Sequence, residues 1–313
     1  MPINCIDKYK NNFAIKFANL MEGNLPRWKR LQMKCLKKIF SLRSCILYCV
    51  IIIFCLLMKN VIVLFIMLFI AILDNLKRIN KSYQRKIKHE LFPKLVKIFG
   101  DVNYGGTIPF KIYDESMLFK QEANSIQKDD SFNGTYKNVP FTIVETDINY
   151  TEWKNNKLEK YEHLFKGIAM HFEMHKKIKS RVLIYSKNLI PDKLPNGFEK
   201  VEMELESFNK KYNVYVEKMH QTAEGQIEAR YLFNTLFLER FMQLQTSFKV
   251  DKIRCSICEN SVLILLETKK DLFEMNHLLN RIDDINQYKY LFDEFASIFS
   301  FVEILNLSSR TGL

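Results

Sequence analysis

Cys45 to Leu73 reads CILYCVIIIFCLLMKNVIVLFIMLFIAIL, and only Lys59 and Asn60 interrupt it. As one helix rising about 1.5 Å per residue, the run overshoots a hydrocarbon core about 30 Å thick. It would also hold Lys59 near mid-membrane, where a lysine costs roughly 2.5–3.5 kcal/mol. Folding the run back at Lys59 and Asn60 lets the ammonium reach water or headgroups. The sequence therefore predicts a transmembrane helical hairpin over residues 39–76. Each apolar half is shorter than the comfortable span of about 20 residues, and Ile39, Phe40, Leu42 and Leu76 extend it.

Charge sets the orientation. Arg27, Lys29, Arg30, Lys34, Lys37, Lys38 and Arg43 precede the run, and Lys77, Arg78, Lys81, Arg85, Lys86 and Lys88 follow it, against the single acid Asp74. Two strongly cationic flanks, neither clearly out-charging the other, both belong on the cytoplasmic side, which requires an even number of crossings. The expectation is a multi-pass membrane protein with its large domain in the cytoplasm.

The 313-residue chain carries a net charge of +12. Without those thirteen flanking cations and Asp74, the remainder is neutral. The basicity thus belongs to the bilayer, and no nucleic-acid partner is expected. The cations either meet anionic headgroups, at about 1 kcal/mol each near the surface, or only set topology. The abundance of Lys, Asn, Ile and Phe also fits a codon bias toward A and T. Seven cysteines, of which only Cys255 and Cys258 lie beyond the anchor, make no disulfide framework and fit a reducing compartment.

Residues 1–38 form an N-terminal amphipathic and basic helical segment, with Ile6, Tyr9, Phe13, Phe17 and Leu20 at helical spacing and a break at Pro26. The helix after the break, which carries Trp28, lies in the membrane interface or packs on the domain. Residues 77–103 read as a helical stalk. Residues 104–313 read as a soluble α+β domain, an antiparallel sheet packed against two long helices. Val139–Ile148, Leu164–His175, Arg181–Tyr185 and Tyr212–Glu217 read as strands. Glu224–Phe248 reads as a broad apolar helix that includes Ile227, Tyr231 and Leu232. KIRCSIC and SVLILLE flank a turn at Glu259 and Asn260 as a hairpin. A closing helix sets Tyr288, Leu291, Phe292, Phe295, Ile298, Phe299, Val302 and Leu305 on one stripe.

The succession LFKGIAMHF, YNVYV, QIEARYLFNTLFLERFMQL, a hairpin and a final EILNLSSR resembles the bacterial membrane-protein family catalogued as domain of unknown function 3137. DESMLF and DDSFNGTYKNVPFTIVET upstream fit its pattern too, so the likeness runs from Tyr104 to Arg310. It implies a helical N-terminal segment, a transmembrane pair and a cytosolic α+β domain, with no established activity. The family's recurrent features correspond to a Phe165-Lys166-Gly167 turn and to a helix bearing Glu228, Ala229, Arg230, Tyr231 and Leu232.

Chemistry is sparse. In HFEMH a strand's period of two puts His171, Glu173 and His175 on one face, a weak candidate for zinc or iron; a solvated strand face is the simpler reading. Cys255-Ser-Ile-Cys258 is a lone C-x-x-C with no second ligand pair. The nine glycines form no phosphate loop. No cofactor or catalytic residue is expected. The expected function is a membrane-anchored binding or scaffolding module for an unknown protein partner, with a metal-dependent membrane enzyme as the alternative.

Overall fold

A computed structural model describes residues 5–57, 61–155, 157–189, 196–218, 230, 233–250, 252–270, 273 and 278–310. Lys59 and Asn60, at the expected fold-back, lie outside the described residues, as do Ile227, Tyr231 and Leu232. The chain divides into two compact units. One joins Asn11–Ile98 to Glu274–Lys289, and the other joins Met1–Lys10, Phe99–Phe273 and Tyr290–Leu313.

The first unit is helical. α1 (Cys5–Lys37) runs through Pro26 as one helix, where a break was expected. Phe13, Phe17, Met21, Trp28 and Cys35 recur on one buried side, and their burial outweighs the one backbone bond that the proline forfeits. α2 (Leu42–Leu57) and α3 (Val61–Val96) follow, and α3 fuses the second apolar run to the stalk. Tyr83, Ile87, Leu91, Phe92 and Leu95 of α3 are buried, as is Trp28, whose ring lies 5.8 Å from the Lys94 ammonium. Arg27 pairs with Glu90 at 3.1 Å and Lys29 with Asp283 at 3.2 Å.

α2 and α3 do pair. Asn75 donates from Nδ2 to Ser44 Oγ at 2.9 Å and to Tyr48 Oη at 3.0 Å. Among the described residues, however, no helix is long and apolar enough to cross a membrane. α2, with 16 residues, is about 24 Å long, and the apolar part of α3 stops at Asp74. The described helices thus give no support for the two full transmembrane spans expected over 39–76, although the pair of helices forms.

Among the described residues the second unit forms a seven-stranded antiparallel sheet in the order β1-β2-β3-β4-β6-β5, with β7 on the other edge of β4. The strands are β1 (Asp101–Tyr104), β2 (Ser125–Tyr136), β3 (Val139–Lys154), β4 (Lys157–Ser186), β5 (Phe198–Val201), β6 (Tyr212–Glu217) and β7 (Lys252–Glu267). The two segments expected as separate strands at 164–175 and 181–185 belong to the single 30-residue β4. The hairpin expected at Glu259 is likewise one strand, β7. Glu259 takes a positive φ of 52°, and β4 shifts register opposite it, between Glu173 and Val182. The two strands bend together and keep their ladder, where a turn would end it.

α4 (Phe110–Glu115) and α5 (Glu206–Asn209) are short, and α6 (Thr235–Ser247) and α7 (Lys289–Arg310) are long. The continuous helix expected over 224–248 is not formed through Asn234. That residue is extended and caps α6, its side chain accepting from the Phe237 amide. α7 lies on one sheet face through Phe132–Phe295, Phe141–Phe299 and Phe172–Phe301 ring contacts at 5.0, 5.8 and 5.7 Å. Phe237 of α6 meets Phe301 at 5.2 Å. The expected stripe on α7 is buried from Tyr288 through Val302, and the Leu305 side chain lies outside the described residues. On the other sheet face Ile108, Tyr113, Leu118 and Ala123 cover Val144, Ile148, Phe165, Ala169, Leu183 and Leu265.

Two changes test this packing. Gly167 holds φ at +149°, and a Cβ there would lie 2.0 Å from the Leu266 carbonyl oxygen. Gly167→Ala should lower unfolding stability by about 1–3 kcal/mol or more, measured by denaturant titration. Burial, reinforced by the charge of Asp293 and opposed by that of Lys249, raises the Glu294 carboxyl from 4.5 to about 8. The folded state then holds a proton that the unfolded chain has lost, so this group erodes stability as pH rises from 4.5 to about 8. Relative to the parent chain, Glu294→Gln should gain thermal stability across that window.

Candidate binding site

The strand carrying HFEMH buries Met170, Phe172 and Met174 under α7, as the alternation requires. The other three residues do not converge. His171 is buried, with Nε2 3.0 Å from Ser261 Oγ, whereas Glu173 and His175 are exposed. Among the described residues no group of three or more His, Cys, Asp or Glu is placed to hold a metal ion. The weak metal candidate at His171, Glu173 and His175 is thus not assembled, since His171 is buried and turned to Ser261 while the other two are exposed. Cys255 and Cys258 also part company. Cys255 is wholly buried, and that burial pushes its thiol well above the ordinary range. Cys258 Sγ accepts from Arg181 Nη2 at 3.2 Å.

The flanking cations fall into two sets. Arg27, Lys29 and Arg78 hold internal ion pairs and Lys88 is buried. Arg30, Lys34, Lys37, Lys38, Lys77, Lys81, Arg85 and Lys86 are exposed on α1, on the short turn after it and on α3. The Arg43 side chain lies outside the described residues, and so does the helix motif Glu228 to Leu232 apart from Arg230, which is helical and exposed.

Phe165, Lys166 and Gly167 sit inside β4, not in a turn. Phe165 points into the core. Gly167 lets the end of β7 come close enough for the Thr268 amide to donate to the Lys166 carbonyl at 2.9 Å. That approach brings the residues after β7 beside Lys166 and opens a cleft of about 350 Å³ lined by Lys166, Lys249, Lys252, Lys269 and Lys270. Its acid is Glu267. Burial opposes ionisation of this carboxyl, but hydrogen bonds from Arg254 and Lys252, at 3.0 and 3.1 Å, outweigh it and hold the group below its usual range. Asp147 lies 3.8 Å from Lys166. Cations outnumber carboxylates here, so the cleft favours an acidic partner. Composition concealed it, because a domain that is neutral in sum can still gather lysines from strands far apart in sequence.

Residues 163–307 match the family model described as "Protein of unknown function (DUF3137)". No curated protein matches the chain. A solved structure, the mycobacterial trehalose monomycolate transport factor A, TtfA, is similar over 65% of this chain and 86% of its own, at 8% identity and a TM-score of 0.35. That similarity is too slight to carry an argument.

Burial lowers the pKa of His171 from 6.5, against a smaller opposing pull from Glu173. Below pH 6.5 the unfolded chain takes up a proton that the folded chain resists, so this group's contribution is lost as pH falls through and below that value. His171→Gln should gain stability relative to the parent between pH 7 and 5, read from melting midpoints at each pH.

Proposed function

With residues 163–307 belonging to that family of unknown function, we propose that the chain is a membrane-tethered binding module and not an enzyme. The α2–α3 hairpin would sit in a lipid bilayer, entering and leaving on one side, with the sheet domain in the cytoplasm of a bacterial cell. The observation that carries this reading is the surface of the hairpin. Ile46, Val50, Ile53 and Phe54 of α2 and Ile62, Phe65, Phe69 and Ile70 of α3 are each more than half exposed. A helix pair that is apolar on all its outward faces has no stable place in water. The exposed cations on α1 and on the second half of α3 flank it at both ends, where anionic headgroups would meet them.

The short helices fit a bilayer by local thinning and by snorkelling of flanking side chains. Asn75, whose amide is spent on Ser44 and Tyr48 between the two helices, keeps a polar group off the lipid-facing side. The lysine cleft around Lys166 and Lys269 gives the module its recognition chemistry, an acidic partner. A nucleic acid is not favoured, since Glu267 and Asp147 interrupt any continuous track of cations along this surface.

The full chain, mixed with phosphatidylglycerol-containing liposomes as detergent is removed, should float with the lipid and resist carbonate extraction. Phe65→Lys combined with Phe69→Lys should release most of it, since each lysine costs roughly 2.5–3.5 kcal/mol at depth. A monodisperse parent chain in detergent-free buffer that stays at the bottom of the gradient would end the proposal. In inverted inner-membrane vesicles the domain should be open to added protease, and protection there would reverse the orientation.

A further inference from the structure

The second cleft of the sheet unit, about 320 Å³, lies between α4, β4 and the bent middle of β7. It is built differently from the lysine cleft. Arg181 reaches into it from β4, Ser256 and Ser261 line it from β7, and Lys111 stands at its rim on α4. The guanidinium of Arg181 ends on sulfur. Nη1 donates to Met117 Sδ at 2.6 Å and Nη2 to Cys258 Sγ at 3.2 Å. Thioether and thiol are weak acceptors, and Arg181 Nε, buried, has no partner among the described residues. Ser256 is 3% exposed, and its hydroxyl also lacks a partner. A buried hydroxyl and a buried guanidinium N–H left unmatched beside one cleft are uncommon, since such groups are nearly always satisfied by protein, water or an ion.

The acids of the cleft limit what can enter. Glu115 is held by Lys111 at 3.5 Å, and Glu259, exposed at its positive-φ bend, stands at the mouth. A long polyanion would meet both carboxylates. A small oxyanion seated against Arg181 would not, and the volume suits a small molecule. Ser261 adds a second hydroxyl, backed by His171 at 3.0 Å.

We propose that this cleft is a binding site for a small oxyanion, a carboxylate or phosphate group, held by Arg181 and Ser256 with Ser261 and Lys111 in support. On binding, the anion replaces the sulfur contacts of Arg181 with charge-assisted hydrogen bonds, to which a guanidinium fork is suited. The site lies apart from the lysine cleft and does not depend on the membrane reading. That reading is tested by flotation, and this one is tested with the full chain in detergent.

Titration of the micelle-held chain with inorganic phosphate and, separately, with acetate, followed by calorimetry and by melting midpoint, should give saturable binding of at least one anion. The anion that binds assigns the group. Arg181→Gln and Ser256→Ala should each weaken binding, the former about tenfold or more. Ser256→Ala is the more telling variant. Because its hydroxyl has no partner among the described residues, the alanine should melt at or above the parent temperature while binding more weakly. Lys200→Glu, exposed on β5 and outside both clefts, should bind as the parent does, whereas Lys270→Glu in the lysine cleft tests the competing assignment. Saturable binding lost in Lys270→Glu but kept in Arg181→Gln and Ser256→Ala would overturn the assignment. So would binding of neither anion, or binding only of anionic vesicles.

Discussion

Strand β4 is hydrogen-bonded on both edges, and the sheet unit depends on it. One edge is shared between β3, from Lys157 to Phe172, and β6, from Val182 to Ser186, while β7 takes the other from Gly167 to Tyr185. A strand with both edges paired must satisfy every backbone group along it. Any irregularity on one partner is therefore answered on the other. The positive φ at Glu259 and the register shifts between Glu173 and Val182 are such a matched pair. The bend they make opens the cleft below α4, and Gly167 lets β7 close against Lys166. Both of these clefts thus follow from the course of β4.

The two faces of the sheet are covered by different means. α7 covers one with aromatic rings in edge-to-face and tilted contact, and Glu294 on the same helix is buried, which raises its pKa. The segment from Ile108 to Ala123 covers the other with one short helix and little else. The thinner cover is where polar groups gather: His171, Ser256, Ser261 and Arg181 lie along it or at its margin. The helical unit shows the opposite arrangement. Its interior, around Trp28 and Tyr83, is sealed, and its apolar surface faces outward on α2 and on the first half of α3.

Much of the sheet unit was legible because its periodicities are strong. β6 has the bounds its alternation predicts, and the α7 stripe is buried over every residue whose side chain is described. The errors share one cause. Pro26, Glu259 with Asn260, and the gap between the 164–175 and 181–185 runs are local break signals, and in each case long-range pairing or burial carried the element through them. Asn234 is the reverse case. Read inside a long apolar run as an ordinary helix residue, it acts as a cap, because its side chain accepts from the Phe237 amide three residues on.

What the sequence determined by itself is what depends on near neighbours: the apolar run at Cys45 to Leu73, its cationic flanks, the strand alternation that buries Met170 and Phe172, and the family model that residues 163–307 match. The tertiary structure decided which distant residues meet. Lys166 stands with Lys269 and Lys270, and Arg181 with Ser256 and Cys258, while His171 meets Ser261. Spacing along a strand fixes only the face a side chain takes. Its partners depend on the strand alongside, whose register is set by hydrogen bonds between residues many tens of positions apart.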